Sequence, residues 1–378
     1  SRMKKTFRTI MVALGALMTM CTVQAQPGGR MVQVSSPVVN SDNTVTFNYR
    51  NDNAKSVQVD VQFAGKHDMF KNEDGVWTLT LGPAAPDIYP YSFVVDGISV
   101  MDPLNPEWFP NEGFKNSLLD LRGEEPMIHH AQNVPHGAVD YVNYYSETLG
   151  LYGNAIVYTP PFYDQNPDKK YPVFYLVSGT TDTEETWFKV GKVNVILDNL
   201  IAQGKAEPMI VVMTNGCTQH VSAPGYSHEG MWRPYMSGSM DGSFEAMFPS
   251  IVEWVDDHYR TKAKRSHRAI AGLSMGGFHS MQISKEYPAM FEYVGLFSAA
   301  IFRGKEGVET YSNTEAKLER QFQEGVKLYW IGIGKEDFLY DENVRYRALL
   351  DSEGYPYTYR ESEGGHIWRN WRIYLGEY

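Results

Sequence analysis

The chain has 378 residues, of which 43% are hydrophobic and 21% are charged. This balance is typical of a globular protein and excludes both a disordered chain and a bundle of membrane helices. Because the formal net charge is −11, the protein has no electrostatic attraction to nucleic acid or to an anionic membrane, and neither is expected as a partner.

Residues 1–25 have the composition of a secretory signal peptide. The basic stretch Met3–Arg8 precedes an apolar stretch, and a small-residue cleavage pattern ends at Ala25. The apolar stretch is too short for a stable membrane anchor, and residues 1–2 are interpreted as a cloning scar. We expect export to the periplasm or to the outside of the cell, with no membrane segment in the mature form. That form carries a net charge of −15, and Cys217 is its only cysteine.

The next region, residues 27–103, alternates apolar and polar residues with the period of β-strands. Dipeptides typical of hairpin turns separate these runs, and no helical pattern interrupts them. We therefore predict a small all-β, immunoglobulin-like sandwich domain. The clearest runs are Thr44–Tyr49, Ser56–Phe63 and Val76–Leu81, and the turns are Asp74-Gly75 and Asp96-Gly97.

Two stretches of this region, Lys71–Gly82 and Tyr89–Gly97, resemble the carbohydrate-binding modules of the glycogen-binding, early-set type. The resemblance implies a module of that fold ahead of an enzyme, and it does not by itself establish sugar binding. Trp77 shares a strand face with Leu79 and Leu81, so it is predicted to lie in the core and not on a sugar-binding platform.

Residues 104–140 are predicted to be a linker. The stretch Asp102–Pro110 contains three prolines, and the sequence that follows lacks periodicity. Three histidines occur here, at 129, 130 and 136, but no neighbouring cysteine or carboxylate spacing is typical of a metal site. No metal is expected.

From residue 141 to 378 buried strands alternate with helices. This rhythm predicts an α/β domain with a mostly parallel sheet that is covered on both faces. The expected strands are Ala155–Tyr158, Val173–Val177, Met209–Met213, Arg268–Ala271, Tyr293–Phe297 and Leu328–Ile333, and the clearest helices are Val193–Ile201, Phe244–Tyr259 and Asp341–Ser352.

The stretch Gly272-Leu-Ser-Met-Gly276 lies between a predicted strand and a predicted helix. This is the setting of the nucleophile elbow of an α/β-hydrolase, in which a serine occupies strained backbone geometry on a very tight turn. Only glycine at 272 and 276 lets the strand and the helix approach closely enough. Ser274 is therefore the candidate nucleophile.

A serine hydroxyl needs a base to take its proton, and the base needs an acid that orients it. In this fold the chain order is serine, acid, histidine, each at the carboxyl end of a strand. His366 follows two glycines and is the candidate base, because His279 is expected to lie inside the elbow helix. The backbone N–H of Met275 is one candidate oxyanion donor.

The candidate acid is Asp337, which follows the predicted strand Leu328–Ile333. Its neighbour Glu336 is the rival, and Asp341 is expected to cap a helix. The second oxyanion donor should come from the loop after an early strand, where Gly179 or Thr180 is predicted to supply it.

Four segments, taken in chain order, resemble the feruloyl and acetyl-xylan esterases of carbohydrate esterase family 1, which are relatives of esterase D. They are Tyr171–Gly179, Arg268–Gly277, Gly334–Leu339 and Gly364–Trp368. The resemblance implies Ser274 as nucleophile, Asp337 as acid and His366 as base, and a mechanism without cofactor. Ser178 departs from the histidine that usually precedes this glycine in relatives.

The hypothesis drawn from these observations is a secreted serine esterase that releases ferulate from arabinoxylan, with feruloylated or acetylated xylan oligosaccharides as substrates. Aromatic residues in segments near the site are candidates for substrate binding: Trp187, Trp232, Phe338 and Trp368. The alternatives are an acetyl-xylan esterase, a siderophore-ester esterase and a non-catalytic carbohydrate-binding protein. The acidic composition disfavours the siderophore alternative, since polyanionic catecholates call for basic residues.

Overall fold

The computed structural model describes residues 33–148, 150–216 and 240–378. The predicted signal peptide, Cys217 and Trp232 lie outside the described residues. Across the described part of the chain, no helix combines the length and the apolar character needed to cross a membrane.

The first part of the molecule consists of two antiparallel sheets that enclose one hydrophobic core. One sheet has the order β1-β2-β6-β5, and the other has the order β4-β3-β7-β8 with β9 also paired to β7. The strands are β1 Val38–Val39, β2 Val45–Arg50, β3 Val57–Val61, β4 Gly65–Asp68, β5 Phe70–Lys71, β6 Val76–Leu81, β7 Asp87–Val95, β8 Ile98–Val100 and β9 Ser117–Leu121. We call residues 38–121 the sandwich.

The period-two pattern of the sequence sets the two faces of these strands. In β3, Val57, Val59 and Val61 are buried in the core, while Asp60 between them is exposed. Trp77 is also buried there, as predicted, and its indole N–H donates to the carbonyl oxygen of Asn51 at 3.0 Å.

The predicted linker over residues 104–140 needs a correction. Ser117–Leu121 is a strand that pairs antiparallel with β7, so the sandwich extends well beyond residue 103. Leu118, Leu119 and Leu121 are buried. Sequence reasoning missed the strand because three leucines and one aspartate in five residues give neither a clean alternation nor a long apolar run.

The second part is built on one eight-stranded sheet with the order β10-β11-β13-β12-β14-β15-β16-β17. The first three strands in this order pair antiparallel, and the remaining pairs are parallel. The strands are β10 Ala138–Ser146, β11 Leu151–Thr159, β12 Val173–Val177, β13 Ile210–Thr214, β14 Arg268–Leu273, β15 Tyr293–Phe297, β16 Leu328–Gly334 and β17 Thr358–Ser362. We call residues 138–377 the hydrolase part.

Hydrophobic cores lie on both faces of this sheet, as continuous apolar strands require. The helices are α1 Thr186–Lys189, α2 Val193–Ala202, α3 Ser243–His258, α4 Met275–Glu286, α5 Thr314–Glu324, α6 Tyr340–Glu353 and α7 Trp368–Glu377. In the parallel region the register places the ends of β12, β14, β15, β16 and β17 at one edge of the sheet. The loops that follow these strands carry the candidate site.

A buried ion pair joins the two parts. The guanidinium of Arg372, in α7, donates to the carboxylate of Asp87 at 2.6 Å and to the carbonyl oxygen of Val190 at 3.0 Å. Both charged side chains are almost fully buried. The sandwich is therefore fixed against the hydrolase part by a specific charged contact.

Candidate active site

Ser274 lies on the turn between β14 and α4 with φ 53° and ψ −116°, a conformation that L-residues rarely adopt. Its N–H donates to the carbonyl oxygen of Phe297 at 2.9 Å, and its own carbonyl oxygen accepts from the N–H of Ala300 at 3.0 Å. These bonds to the segment after β15 hold the turn in its strained form.

Two glycines make this turn possible. A Cβ at Gly276 would lie 2.2 Å from the carbonyl oxygen of Val177, and a Cβ at Gly272 would lie 2.2 Å from that of Gly276. Both obstacles are backbone atoms that cannot move aside. The close approach of strand and helix therefore requires glycine at both positions, as the elbow hypothesis predicted.

His366 and Asp337 meet at the same edge of the sheet. The Nδ1 atom of His366 is 2.9 Å from Oδ2 of Asp337, and the other oxygen of Asp337 accepts from the N–H of Leu339 at 2.9 Å. The Asp337 side chain is 0% exposed and that of His366 is 22% exposed. The rivals Glu336 and Asp341 are both exposed.

His279 lies inside α4, as predicted. Its Nδ1 contacts Oε1 of Glu245 at 2.5 Å, and the same carboxylate accepts from the hydroxyl of Tyr311 at 3.0 Å. All three side chains are buried. They form a polar network in the core behind the elbow.

Ser274 and His366 line one cavity of about 570 Å³. Its walls come from the hydrolase loops and from two regions of the sandwich, one of which is the segment from Phe109 to Asn116. The other region contributes Asp60, Gln62, Pro90, Tyr91 and Ser92. Sequence reasoning missed these residues because nothing local indicates which side of the sandwich faces the elbow.

The two candidates for the second oxyanion donor differ in their hydrogen bonding. The N–H of Gly179 donates to Oδ2 of Asp182 at 3.1 Å, so it is already engaged, whereas the N–H of Thr180 has no hydrogen-bond partner among the described residues. Both residues line the cavity. Met275 is the first residue of α4, where backbone N–H groups lack partners within the helix.

The candidates for substrate contact lie in different places. Phe338 is 76% exposed, lines the cavity and packs its ring 4.7 Å from that of His366. Trp368 also lines the cavity but is only 5% exposed. Trp371, which was not predicted, lies in the same wall with its ring 4.8 Å from the His366 ring.

Trp187 was wrongly assigned to substrate binding. Its side chain is 0% exposed, and its indole N–H donates to the carbonyl oxygen of Val177 at 3.1 Å. It packs edge-on against Trp368 at 4.9 Å. The sequence places Trp187 near the site, but the short helix α1 turns its side chain into the core.

Within the described residues, Asp120, His129 and His130 form the group closest to metal-ligand geometry. Nδ1 of His130 accepts from the N–H of Met127 at 3.0 Å, so Nε2 carries the proton that it donates to Asp120 at 2.9 Å. A metal would need that nitrogen without its proton. The hydrogen bonds of His130 instead tie the 122–137 segment to the sandwich.

The geometry can be compared with known proteins. The sequence profile of the esterase family matches residues 146–377. The chain is 30% identical over 349 residues to an endo-1,4-β-xylanase/feruloyl esterase of Xylanibacter ruminicola, covering 89% of this chain and 44% of that protein. The chain therefore spans less than half the length of this relative.

Solved structures show the same fold. A ferulic acid esterase is 26% identical with a TM-score of 0.51, and the match covers 65% of this chain and 96% of that one. The enterobactin esterase of Shigella flexneri is 17% identical with a TM-score of 0.62, covering 88% of this chain and 91% of that one, so its similarity in fold extends into the sandwich. With the family profile covering most of the hydrolase part, the chain belongs to the esterase family, whose fold is that of the α/β-hydrolases.

Proposed function

We propose that this protein is a serine esterase that hydrolyses feruloyl esters of arabinoxylan, with Ser274 as nucleophile, His366 as base and Asp337 as the orienting acid. The observation that carries the proposal is that Ser274, on its strained turn, lines the same cavity as a histidine that is hydrogen-bonded to a buried carboxylate. A buried carboxylate behind an imidazole fixes the tautomer and stabilises the imidazolium that forms.

In the first half of the reaction, Oγ of Ser274 attacks the ester carbonyl carbon while Nε2 of His366 takes its proton. The tetrahedral oxyanion accepts hydrogen bonds from the N–H groups of Met275 and Thr180. When the carbon–oxygen bond to the alcohol breaks, His366 returns the proton to the departing oxygen, and an acyl-serine remains.

In the second half, His366 takes a proton from water, whose oxygen attacks the acyl-serine. Collapse of the second tetrahedral intermediate releases the carboxylic acid, and the proton passes back to Ser274. Each proton removed is returned within the cycle, so the proposed reaction requires no cofactor.

The cavity supports an aromatic acid esterified to a sugar. Phe109, Phe114 and Phe338 supply aromatic surface for a hydroxycinnamoyl ring, while Asp60, Gln62 and Ser92 of the sandwich offer hydrogen-bonding groups of the kind that sugar hydroxyls use. The Xylanibacter ruminicola relative is named both as a xylanase and as a feruloyl esterase, which supports the same substrate class. We further propose that the sandwich is a glycogen-binding-type, early-set module.

The alternatives differ in what the cavity must hold. The acetyl group of acetylated xylan has no ring to pack against the aromatic residues that line the cavity. A siderophore-ester esterase acts on a polyanion, yet the lining among the described residues contains Asp60 and Asp182 and neither lysine nor arginine. Feruloyl ester cleavage is therefore the stronger proposal.

The Ser274→Ala variant should lose at least about 10⁴-fold in kcat on methyl ferulate and on 4-nitrophenyl acetate, since no other group can form the acyl intermediate. The matched control is Ser284→Ala, which removes a buried hydroxyl from the same helix, where it donates to the carbonyl oxygen of Met281. It should retain activity and labelling by a fluorophosphonate probe. Turnover by the Ser274→Ala protein would refute the mechanism.

The substrate is tested by comparing methyl ferulate and feruloylated arabinoxylan oligosaccharides with acetylated xylan. We expect the feruloyl esters to have the higher kcat/KM. An enzyme that cleaves only acetylated xylan would refute the feruloyl proposal and leave the serine mechanism intact.

A further inference from the structure

The loop after β12 is held in place by a residue that lies 71 positions earlier in the chain. Asn111 donates from Nδ2 to Oδ1 of Asp182 at 2.8 Å, and the N–H of Gly179 donates to the other oxygen at 3.1 Å. Asn111 and Asp182 also pair as an isolated β-bridge. Both residues line the cavity that contains Ser274.

The loop requires such a support. Thr181 has φ 59°, a backbone conformation that L-residues rarely adopt, so the loop is strained where it passes the elbow. A Cβ built on Gly179 would lie 3.6 Å from Cβ of Ser274, which shows how closely the loop passes the nucleophile. A small shift of this backbone would move the N–H of Thr180 relative to the oxyanion.

The hydrogen bonds determine the type of side chain needed at 182. The Oδ1 atom of Asn111 accepts from the N–H groups of Gly113 at 2.7 Å and Phe114 at 3.2 Å, so this amide cannot turn around. Its Nδ2 must therefore donate toward Asp182. Because the N–H of Gly179 also donates there, residue 182 has to present two acceptors, which a carboxylate does and an amide does not.

Burial of the charged carboxylate of Asp182 lowers the stability of the folded protein. Asp182 is 6% exposed, and desolvation raises the pKa of its carboxyl to about 7 in spite of the bonds from Asn111 and Gly179. A neutral side chain would avoid that cost if the residue only filled space. The carboxylate is explained by the two donors that it holds.

We propose that Asp182, oriented by Asn111, is a positioning residue that fixes the loop 179–182 so that the N–H of Thr180 faces the oxyanion formed on Ser274. This inference rests on the proposed esterase function, since it assigns a role within that reaction. Asp182 acts through the loop and does not itself touch the reacting atoms.

The test exchanges the two side chains. In Asp182→Asn one amide hydrogen faces a donor, and in Asn111→Asp two carboxylates face each other, so each single variant loses one bond. In the double variant Asn111→Asp/Asp182→Asn the new amide donates to the new carboxylate and still accepts from Gly179. Only the weak contact from residue 111 to the carbonyl oxygen of Thr180, 3.4 Å in the native protein, is lost.

On 4-nitrophenyl acetate, each single variant should lose about 10- to 100-fold in kcat, with KM changed less than about twofold, since the donor acts on the transition state. Affinity for a trifluoromethyl ketone, which forms an oxyanion adduct with the serine, should fall by the same factor as kcat/KM. The double variant should recover kcat to within about fivefold of the native enzyme.

The matched control is Asp198→Asn. Asp198 is likewise buried and accepts from a backbone N–H, that of Gly137 at 2.9 Å, but it does not line the cavity. This variant should unfold at a lower temperature while its kcat and its affinity for the ketone stay unchanged.

The possible outcomes distinguish a failure of the proposed esterase function from a failure of the positioning role of Asp182. If native protein hydrolyses no ester, the proposed function fails before the loop is tested. If native protein is active and Asp182→Asn keeps its kcat and only unfolds earlier, as the control does, the positioning role is overturned. Folded single and double variants that are equally impaired would overturn the pairing with Asn111.

Discussion

At the scale of single residues, His129 shows how burial sets the charge of a side chain at the contact between the two parts. Its ring is buried beside His130, with 4.4 Å between the ring centroids, and its Nε2 has no hydrogen-bond partner within the part of the chain that the structure describes. Desolvation, helped by the positive charge of Arg372 and by His130, lowers the pKa of His129 to about 4, although Asp87 and Asp120 act in the opposite direction. The folded protein therefore holds a neutral imidazole at neutral pH.

This shift makes stability dependent on pH. In the unfolded chain the histidine takes up a proton near its ordinary pKa of about 6.5, whereas in the folded protein it does so only near pH 4. The unfolded state thus binds more protons between these values, and the stabilisation present above pH 6.5 is lost as pH falls toward 4. His129→Gln should remove about 2 kcal/mol of the decrease in unfolding free energy between pH 7 and pH 5.

Urea unfolding of the native protein and of His129→Gln at both pH values measures this difference. Carboxylates elsewhere titrate equally in the two proteins and cancel in the comparison. Parallel pH dependences would show that His129 becomes protonated in the folded state as readily as in the unfolded one.

At the scale of elements, the approach of α4 to β12 limits what the elbow can tolerate. Gly276→Ala would bring a methyl group against the carbonyl oxygens of Val177 and Ser178, at 2.2 and 2.5 Å, so helix and strand must separate. We expect a loss of about 1–3 kcal/mol in unfolding free energy and at least a tenfold fall in kcat, because Ser274 moves with the helix.

The control for this variant is Gly376→Ala. Gly376 is also helical, in α7, but a Cβ there meets no atom within 4 Å, so the substitution should be neutral or should stabilise the helix by up to about 1 kcal/mol. Thermal unfolding and ester hydrolysis of both variants provide the measurements. Equal behaviour of the two would contradict the close approach at the elbow.

The elements also show what a sequence can predict. The strand Leu328–Gly334 and the helix Tyr340–Glu353 were expected nearly as observed, because long apolar runs and the terminal Gly354 are local signals. Asp337 follows from the same logic, since the end of a buried parallel strand places its next residues at the site edge. The strand Ser117–Leu121 was missed because its pairing with β7, and not its own pattern, makes it a strand.

At the scale of the whole molecule, the sandwich forms part of the cavity wall. The side chain of Gln62 is exposed just beyond β3 and lines the cavity with Ser274. Such contacts are not encoded locally: more than 200 residues separate Gln62 from the serine, and only the docking of the two parts brings them together. The same argument explains why Asn111 and Phe109 were absent from the predicted site, while Trp187 was wrongly included.

Gln62→Ala should lower kcat/KM about 2- to 10-fold on a feruloylated arabinoxylan oligosaccharide, because the variant would lose one hydrogen bond to the sugar. Hydrolysis of methyl ferulate, which has no sugar, should be unchanged. The control, Gln58→Ala, removes the same type of side chain four residues earlier, within β3, where it donates to Asp68. It should change neither rate. An equal fall on both substrates would mean that the sandwich does not contact the sugar.

The ion pair between Asp87 and Arg372 has a consequence for recombination of these parts in evolution or in the laboratory. If the hydrolase part were separated from the sandwich, Arg372 would lose the contact that buries it. If a foreign β-module were attached instead, the guanidinium would be buried without its counter-ion, at a cost of about 3–5 kcal/mol in unfolding free energy. Successful chimaeras should therefore inherit both residues together, or replace both with matched apolar side chains. The residues on both sides of this contact therefore have to be transferred together when the two parts are recombined.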